Sequence, residues 1–409
     1  MLRFLTAGES HGPSLVAILE GMPSGLSVDF DRVTADLRRR QGGYGRGRRM
    51  AIESDRAQCL GGIRHGTTTG APIALTIENR DWTNWQQTMY IEAAMPAGAT
   101  GARRAPVTRP RPGHADLAGA IKYDHDDIRN VLERASARET AARVAVGAIA
   151  RQLLERFGIR VASHVTRIGE VGVDDPAAVS FEQAAGIPDD SPLHCADSAL
   201  ESRMIAAIDR AREAGDTLGG SFEVIAIGVP PGLGSHVQWD RKLDGRFAQA
   251  MMSIPAIKAV GIGLGPLVAE RPGSGVHDEI ISGPTDEMTL TPGFARPTNR
   301  AGGLEGGVTN GEPVRVSGFM KPISTLMKPL RSVDLVTMEE SAAAIERSDV
   351  CAVTAAAVVG EAMACLVLAE ALLDKFGGDS IPEIERNYHA ARQQQRTRFV
   401  RAQGSTHGA

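Results

Sequence analysis

The chain has 409 residues, 42 % of them hydrophobic and only 4 % aromatic, with a formal net charge of −4. That is enough for a sizeable core filled by aliphatic side chains and Met, and it supplies no global field for nucleic acid or a membrane surface. Four cysteines (Cys59, Cys195, Cys351, Cys365) without a CxxC spacing, and an N-terminus MLRFLTAGESHG without the pattern of a signal peptide, point to a cytoplasmic chain with reduced thiols.

In chain order, the first marked feature is a polar loop over 38–50, where QGGYGRG is set among Arg38, Arg39, Arg40, Arg46, Arg48 and Arg49. A β-branched strand follows at 73–77 and a second Pro/Gly/Arg loop at 97–116, carrying Arg103, Arg104, Arg109 and Arg111. Helical periodicity over 136–157 begins at Ser136, a cap with Glu139 three residues on as its reciprocal partner, and stops at Gly158. A strand at 160–165, an amphipathic helix at 200–214 and a strand at 221–229 come next. The loop 291–312 contains GGLEGG at 302–307, which lacks the strand–GxGxxG–helix setting, so no dinucleotide-binding domain is expected. After a strand at 313–319, the stretch 341–376 predicts one or more long helices. Its apolar part, 351–373, is interrupted by Glu361 and Glu370 and reads as a buried helix, not a membrane span. The expected organisation is one large α/β domain over 1–390 with a polar, flexible tail over 391–409.

Guanidinium groups bind carboxylate and phosphate through paired hydrogen bonds, so two Arg-rich loops in an otherwise acidic chain suit a polyanionic ligand. A solvated basic surface is the plainer alternative. A nucleic-acid groove is a third, although only Tyr44 interleaves the arginines as a stacking platform. His11 in GESHG and His114 in RPGHAD both lie in glycine-flanked turns able to present an imidazole to a cleft. Taken alone, each would more often be structural. No HxH, HxxxH or Cys/His pair sits at metal-ligand spacing. Asp349 reads locally as the cap of the apolar helix, and KPIST at 321–325 offers an ammonium, two hydroxyls and a fixed turn suited to phosphate.

The ordered set GESHG (8–12), RPGHAD (111–116), ERASARET (133–140), NRAGGLEGG (299–307), MKPIST (320–325) and RSDVCAV (347–353) resembles the chorismate synthase family from Met1 to about Phe376. The resemblance implies a β-α-β sandwich of α+β type, with long central helices between antiparallel sheets, assembled as a homotetramer. It implies reduced FMN as cofactor, NADPH as a candidate reductant, and elimination of phosphate from 5-enolpyruvylshikimate 3-phosphate to give chorismate. Carried over by motif, the catalytic set is His11, His114, Asp349, Ser10 and Ser136. Flavin contacts fall on Arg134, Ala135, Ser136, Pro255, Ala256, Gly306, Lys321, Pro322, Ile323, Ser324, Thr325 and Arg347. Arg40 and Arg46 match positions tied to NADPH and could equally hold substrate. With no inserted reductase element, an external flavin reductase is the expected source of reduced flavin.

Overall fold

The computed structural model describes residues 1–47, 54–92, 105–286, 288–345 and 349–404, with side chains to 399. Four antiparallel strands form the first sheet: β1 (Arg3–Ala7), β2 (Ser14–Glu20), β3 (Ala57–Gly61) and β4 (Ile73–Glu78), in the order β1-β2-β4-β3. The second has five: β5 (Arg160–Ile168), β6 (Val171–Gly172), β7 (Gly220–Ile227), β8 (Ile257–Ile262) and β9 (Val314–Met320), in the order β8-β9-β7-β5-β6, also antiparallel. Alternation in β2 and β4 turns Leu15, Ala17, Leu19, Ile73, Leu75 and Ile77 inward, the period-2 pattern of a sheet with one covered face.

The covering layer is helical. After α1 (Phe30–Gln41) come two short helices, α2 (Asp116–Tyr123) and α3 (Arg129–Arg134), and then α4 (Thr140–Arg156). Further helices are α5 (Phe181–Ala185), α6 (Ser198–Glu213), α7 (Leu243–Met252), α8 (Val353–Phe376) and α9 (Ile381–Gly404). α4 packs on β2 and β4 and, on its other side, on α8, which packs on β5 and β7. This is the expected sandwich of central helices between antiparallel sheets. α4 and α8 can touch because Gly147 faces Ala362, where any Cβ would overlap the Ala362 Cβ. Phe222 of β7 likewise lodges in a notch left by Gly318 and Gly360, so a rare large ring seats the helix on the sheet.

Among the described residues α8 is the one helix long and apolar enough to cross a membrane, and 89 % of its apolar window is buried in the protein. It fills the apolar part of the stretch 341–376, but Asp349 is not its cap. Residues Glu340–Ala342 form a short strand against Arg331–Val333, and the helix N-cap is Ala352. Asp349 cannot cap it because its carboxylate is taken by the backbone N–H of Gly47 and by Arg46. Arg38, Arg39 and Arg40 belong to the last turn of α1, not to a loop. Arg48, Arg49, Arg103, Arg104 and Arg347 lie outside the described residues. Among the described residues α9 runs across 390/391, and Arg392 and Arg396 donate to carbonyls of 285–290. GGLEGG forms the turn of a hairpin, Leu304–Glu305 with Val308–Thr309, and opens no helix.

Candidate active site

GESHG is the turn from β1 to β2. Gly8 takes φ +98, and a Cβ there would overlap the Ser14 carbonyl, so the tight turn requires glycine. Asn79 fixes the loop by donating to the carbonyls of Gly12 (2.8 Å) and Glu9 (3.1 Å). Behind it lies a buried polar network. Arg138 donates to Asn79 (2.8 Å) and to Asp55, and Arg40 donates to the other Asp55 oxygen at 2.7 Å. Burial pulls Arg40 down to about 10 against the opposing pull of Asp55. With 2 % exposure, Arg40 works beneath the surface of the site. Arg46 is mostly buried and holds Asp349 at 2.8 Å.

His11 is gripped from two directions. Its Nδ1 lies 2.9 Å from both carboxylate oxygens of Glu133, which also accepts its backbone N–H. Its ring stacks on Trp85 at 3.8 Å between centroids and 22° between planes. Glu133 sits in the last turn of α3, fully buried, and its carbonyl accepts the Ser10 N–H. The Ser136 hydroxyl donates to the Ser10 Oγ at 3.1 Å. Ser136 does cap the 3-10 turn ahead of α4. Its expected reciprocal partner Glu139 instead binds Thr6 and Arg143.

RPGHAD builds a second histidine–carboxylate pair. His114 Nδ1 contacts Asp116, and Arg111 binds the same carboxylate through Nε (2.9 Å) and Nη2 (3.2 Å). Burial alone would raise Asp116, but the hydrogen bonds from His114 and Arg111 outweigh it and hold the carboxyl well below the usual range. Arg111 reaches Thr325 of KPIST at 3.1 Å, and the Lys321 ammonium donates to the Gly113 carbonyl. Burial, then the neighbouring Lys258, lowers Lys321.

These loops close into a ring. α2, which opens at Asp116, packs on α3, which ends at Glu133 and Arg134. Arg134, Ala135 and Ser136 line a cavity of about 520 Å³ together with Thr6, Arg143 and Pro255. Next to Pro255, the Ala256 carbonyl accepts the Lys321 N–H at 2.9 Å, which returns the path to KPIST. Arg134, Ala135, Ser136 and Pro255 thus share the cavity, while Ser10, His11, His114, Ala256 and the 321–325 loop are tied to it through pairwise contacts without lining it. Asp349 is held by Arg46 and by the backbone N–H of Gly47. Gly306 stands in a hairpin packed against Gly234 and Lys242. Glu133, Trp85 and Asp116 went unassigned in the sequence. The H-x-D spacing of 114 and 116 could have pointed to Asp116, whereas nothing local links Glu133 to His11 across 122 residues.

The family model for chorismate synthase matches residues 2–373. The chain belongs to the chorismate synthase family. It is 58 % identical over 385 residues to the chorismate synthase of Desulforamulus reducens, covering 94 % of this chain and 97 % of that one. Over 404 residues it is 56 % identical to that of Desulforudis audaxviator, covering 99 % and 100 %. A crystal structure of a chorismate synthase superposes with a TM-score of 0.76 at 43 % identity, covering 97 % and 98 % of the two chains. The activity is thus that of a carbon–oxygen lyase: reduced-FMN-dependent 1,4-anti elimination of phosphate from 5-enolpyruvylshikimate 3-phosphate, giving chorismate for aromatic amino acid biosynthesis.

The cavity suits the flavin of this family. Guanidinium groups of Arg134 and Arg143, the latter paired with the lining carboxylate of Glu139, and hydroxyls of Thr6, Ser136 and Ser253 share it with the apolar surfaces of Phe4, Leu5, Ala135 and Pro255. Cations and hydroxyls match a ribityl phosphate, and flat apolar walls match an isoalloxazine ring.

Proposed function

We propose that the ring of Arg134–Ser136, Pro255–Ala256 and Lys321–Thr325 holds FMN, with Gly306 and Arg347 completing the contacts, and that the elimination runs between the two histidine–carboxylate pairs. The observation that carries this reading is the chain of contacts that ties both pairs to the cavity: Glu133, which binds His11, directly precedes the cavity-lining Arg134, and α2, which carries Asp116 beside His114, packs on the same helix α3. Bound reduced flavin supplies electron density to the allylic system and assists removal of the C6 hydrogen. The chain's own groups do the rest. His114 gives a proton to the departing phosphate oxygen, whose charge rises as the C3–O bond breaks. His11 holds a proton against the reduced flavin and steadies its charge. Asp349, anchored by Arg46, relays a proton at flavin N5, and Ser10 and Ser136 orient ligand and water. The substrate brings two carboxylates and a phosphate, which guanidinium groups such as Arg134 at the cavity are suited to bind.

The same reading makes the enzyme a cytoplasmic homotetramer, with a single body over 1–390 and an appended C-terminal segment. An oligomer is supported by the outer face of the first sheet, where Leu5 (70 % exposed), its register partner Ile18 (40 %) and Leu60 (66 %) stand exposed among the described residues. Reduced flavin comes from an external reductase, with NADPH as the candidate reductant; Arg40 and Arg46, at positions tied to NADPH by the resemblance, could equally serve the substrate. Nucleic-acid binding is disfavoured because Arg40 and Arg138 are buried on Asp55 and form no exposed basic surface.

The test is anaerobic: pure protein, dithionite-reduced FMN and 5-enolpyruvylshikimate 3-phosphate, with phosphate and chorismate followed together. Stoichiometric release of both, dependent on reduced flavin, is expected. Flavin binding without product would refute the lyase assignment. NADPH oxidation in air by protein and FMN alone would overturn the external-reductase reading.

A further inference from the structure

The imidazole of His11 is fixed in both its edge and its face. Glu133 presents both oxygens at 2.9 Å to Nδ1 and also accepts the His11 backbone N–H. A carboxylate so placed requires the proton on Nδ1. Trp85 covers the ring at 3.8 Å, nearly parallel to it. The indole is itself immobilised: its Nε1 donates to Asp81 at 2.9 Å, its backbone N–H closes the 3-10 turn Arg80–Asn84, and Arg129 lies 5.7 Å from its centroid. The edge contact sets the tautomer and the stacking sets the plane, so neither torsion of the side chain is left to solvent. His114 has an edge contact to Asp116, and that carboxylate is shared with Arg111. Glu133 is therefore the partner given over to a histidine.

We propose that Glu133 and Trp85 are positioning residues of this enzyme: Glu133 holds His11 as the Nδ1–H tautomer, and Trp85 clamps its plane, so that proton exchange runs through Nε2. Rotating the ring or moving its proton would leave His11 present but unable to serve, the same logic by which a triad carboxylate fixes its histidine.

The inference rests on the catalytic reading of His11, and its test separates the two. Protein carrying 15N-histidine, without flavin, is compared as wild type, Glu133→Gln, Glu133→Asp and His11→Ala, the last to assign the signal. Wild type should show one His11 nitrogen of protonated type, coupled to Nδ1. Glu133→Gln keeps the shape and an acceptor oxygen but removes the demand for that proton, so the signature should shift toward the Nε2–H form. With reduced FMN, Glu133→Gln should lower kcat about 10²-fold while KM stays near wild type, and Glu133→Asp should recover a large part of the loss. Trp85→Leu should lower kcat with the nitrogen pattern retained, and Trp85→Phe should restore it. An unchanged nitrogen signature in Glu133→Gln, or a kcat equal to wild type alongside a shifted one, overturns the proposal. Losses that follow melting temperature equally in Gln and Asp variants would also overturn it, since they mark a structural role. Full turnover by His11→Ala would instead remove the catalytic reading of His11, whatever the nitrogen signals show.

Discussion

A carboxylate that serves an imidazole and a guanidinium at once, out of contact with water, has no spare capacity. Asp116 is in that position, between His114 and Arg111. Asp116→Asn should therefore do two kinds of damage. Arg111 would be left as a buried charge without its counter-ion, a loss of about 3–5 kcal/mol, seen as a lower urea midpoint. His114 would lose the partner that orients it, lowering kcat further than instability alone explains. His11→Ala and His114→Ala should each cut turnover by ~10²–10⁴. His114→Ala leaves Asp116 paired with Arg111 and should melt close to wild type, whereas His11→Ala removes the side-chain partner of the buried Glu133 and should lower the melting temperature without preventing folding. Near-full turnover in either variant would contradict its proposed role. The residue types that glycine-flanked turns advertise were readable: His11, His114 and the arginines. Their carboxylate and aromatic partners were not, because Glu133 and Trp85 acquire meaning only when α3 and the 3-10 turn pack beside GESHG.

Helices and strands were legible wherever periodicity ran without competition. α4, α6, β4, β5, β7 and β9 fall close to the segments that periodicity marks. Local readings failed where a distant group intervened. Asp349 does not cap α8 because its carboxylate is claimed by Gly47, 302 residues away. The arginines of 38–40 read as a loop because charge masked the inward positions Val33 and Leu37 of α1. Element packing also gives small residues a role that periodicity cannot assign. Gly147 is helical, and propensity alone would favour alanine there by up to about 1 kcal/mol. Yet its missing Cβ is the space through which α4 meets Ala362 of α8. Gly147→Ala should thus destabilise by about 1–3 kcal/mol, with Gly147→Val worse, measured as the shift in denaturant midpoint. A stabilised Gly147→Ala would show that the two helices can part without cost.

At the scale of the molecule, one carboxylate joins both halves of the sandwich. Glu361 in the middle of α8 is fully buried, and it binds Arg39 of α1 through both oxygens (2.7 and 2.9 Å), Arg151 of α4, and Ser163 of β5 at 2.6 Å. Asp36 completes the cluster against both arginines. His194, lowered by burial against the pull of Glu361, lies beside it. The sequence showed Glu361 only as an interruption of an apolar run, since its partners come from three other elements. Burial opposes its ionisation, but Arg39 and Arg151 prevail and hold the carboxyl well below the ordinary value near 4.5. The sign of the consequence follows. A carboxyl depressed in the folded state contributes stability in full above its unfolded value, and the contribution drains away as pH falls below it. Glu361→Gln should cost about 3–5 kcal/mol at pH 7, because two arginines lose their shared counter-ion in the interior. The gap between wild type and variant should shrink steadily below about pH 4.5, as measured by urea denaturation at stepped pH. Since the cluster lies on the β5 side of α1 and α4, and not on the GESHG loop, the folded variant should keep its kcat. A gap that stays constant down to pH 3 would mean that packing around α8, not the charge on Glu361, is what locks the two sheets to one core.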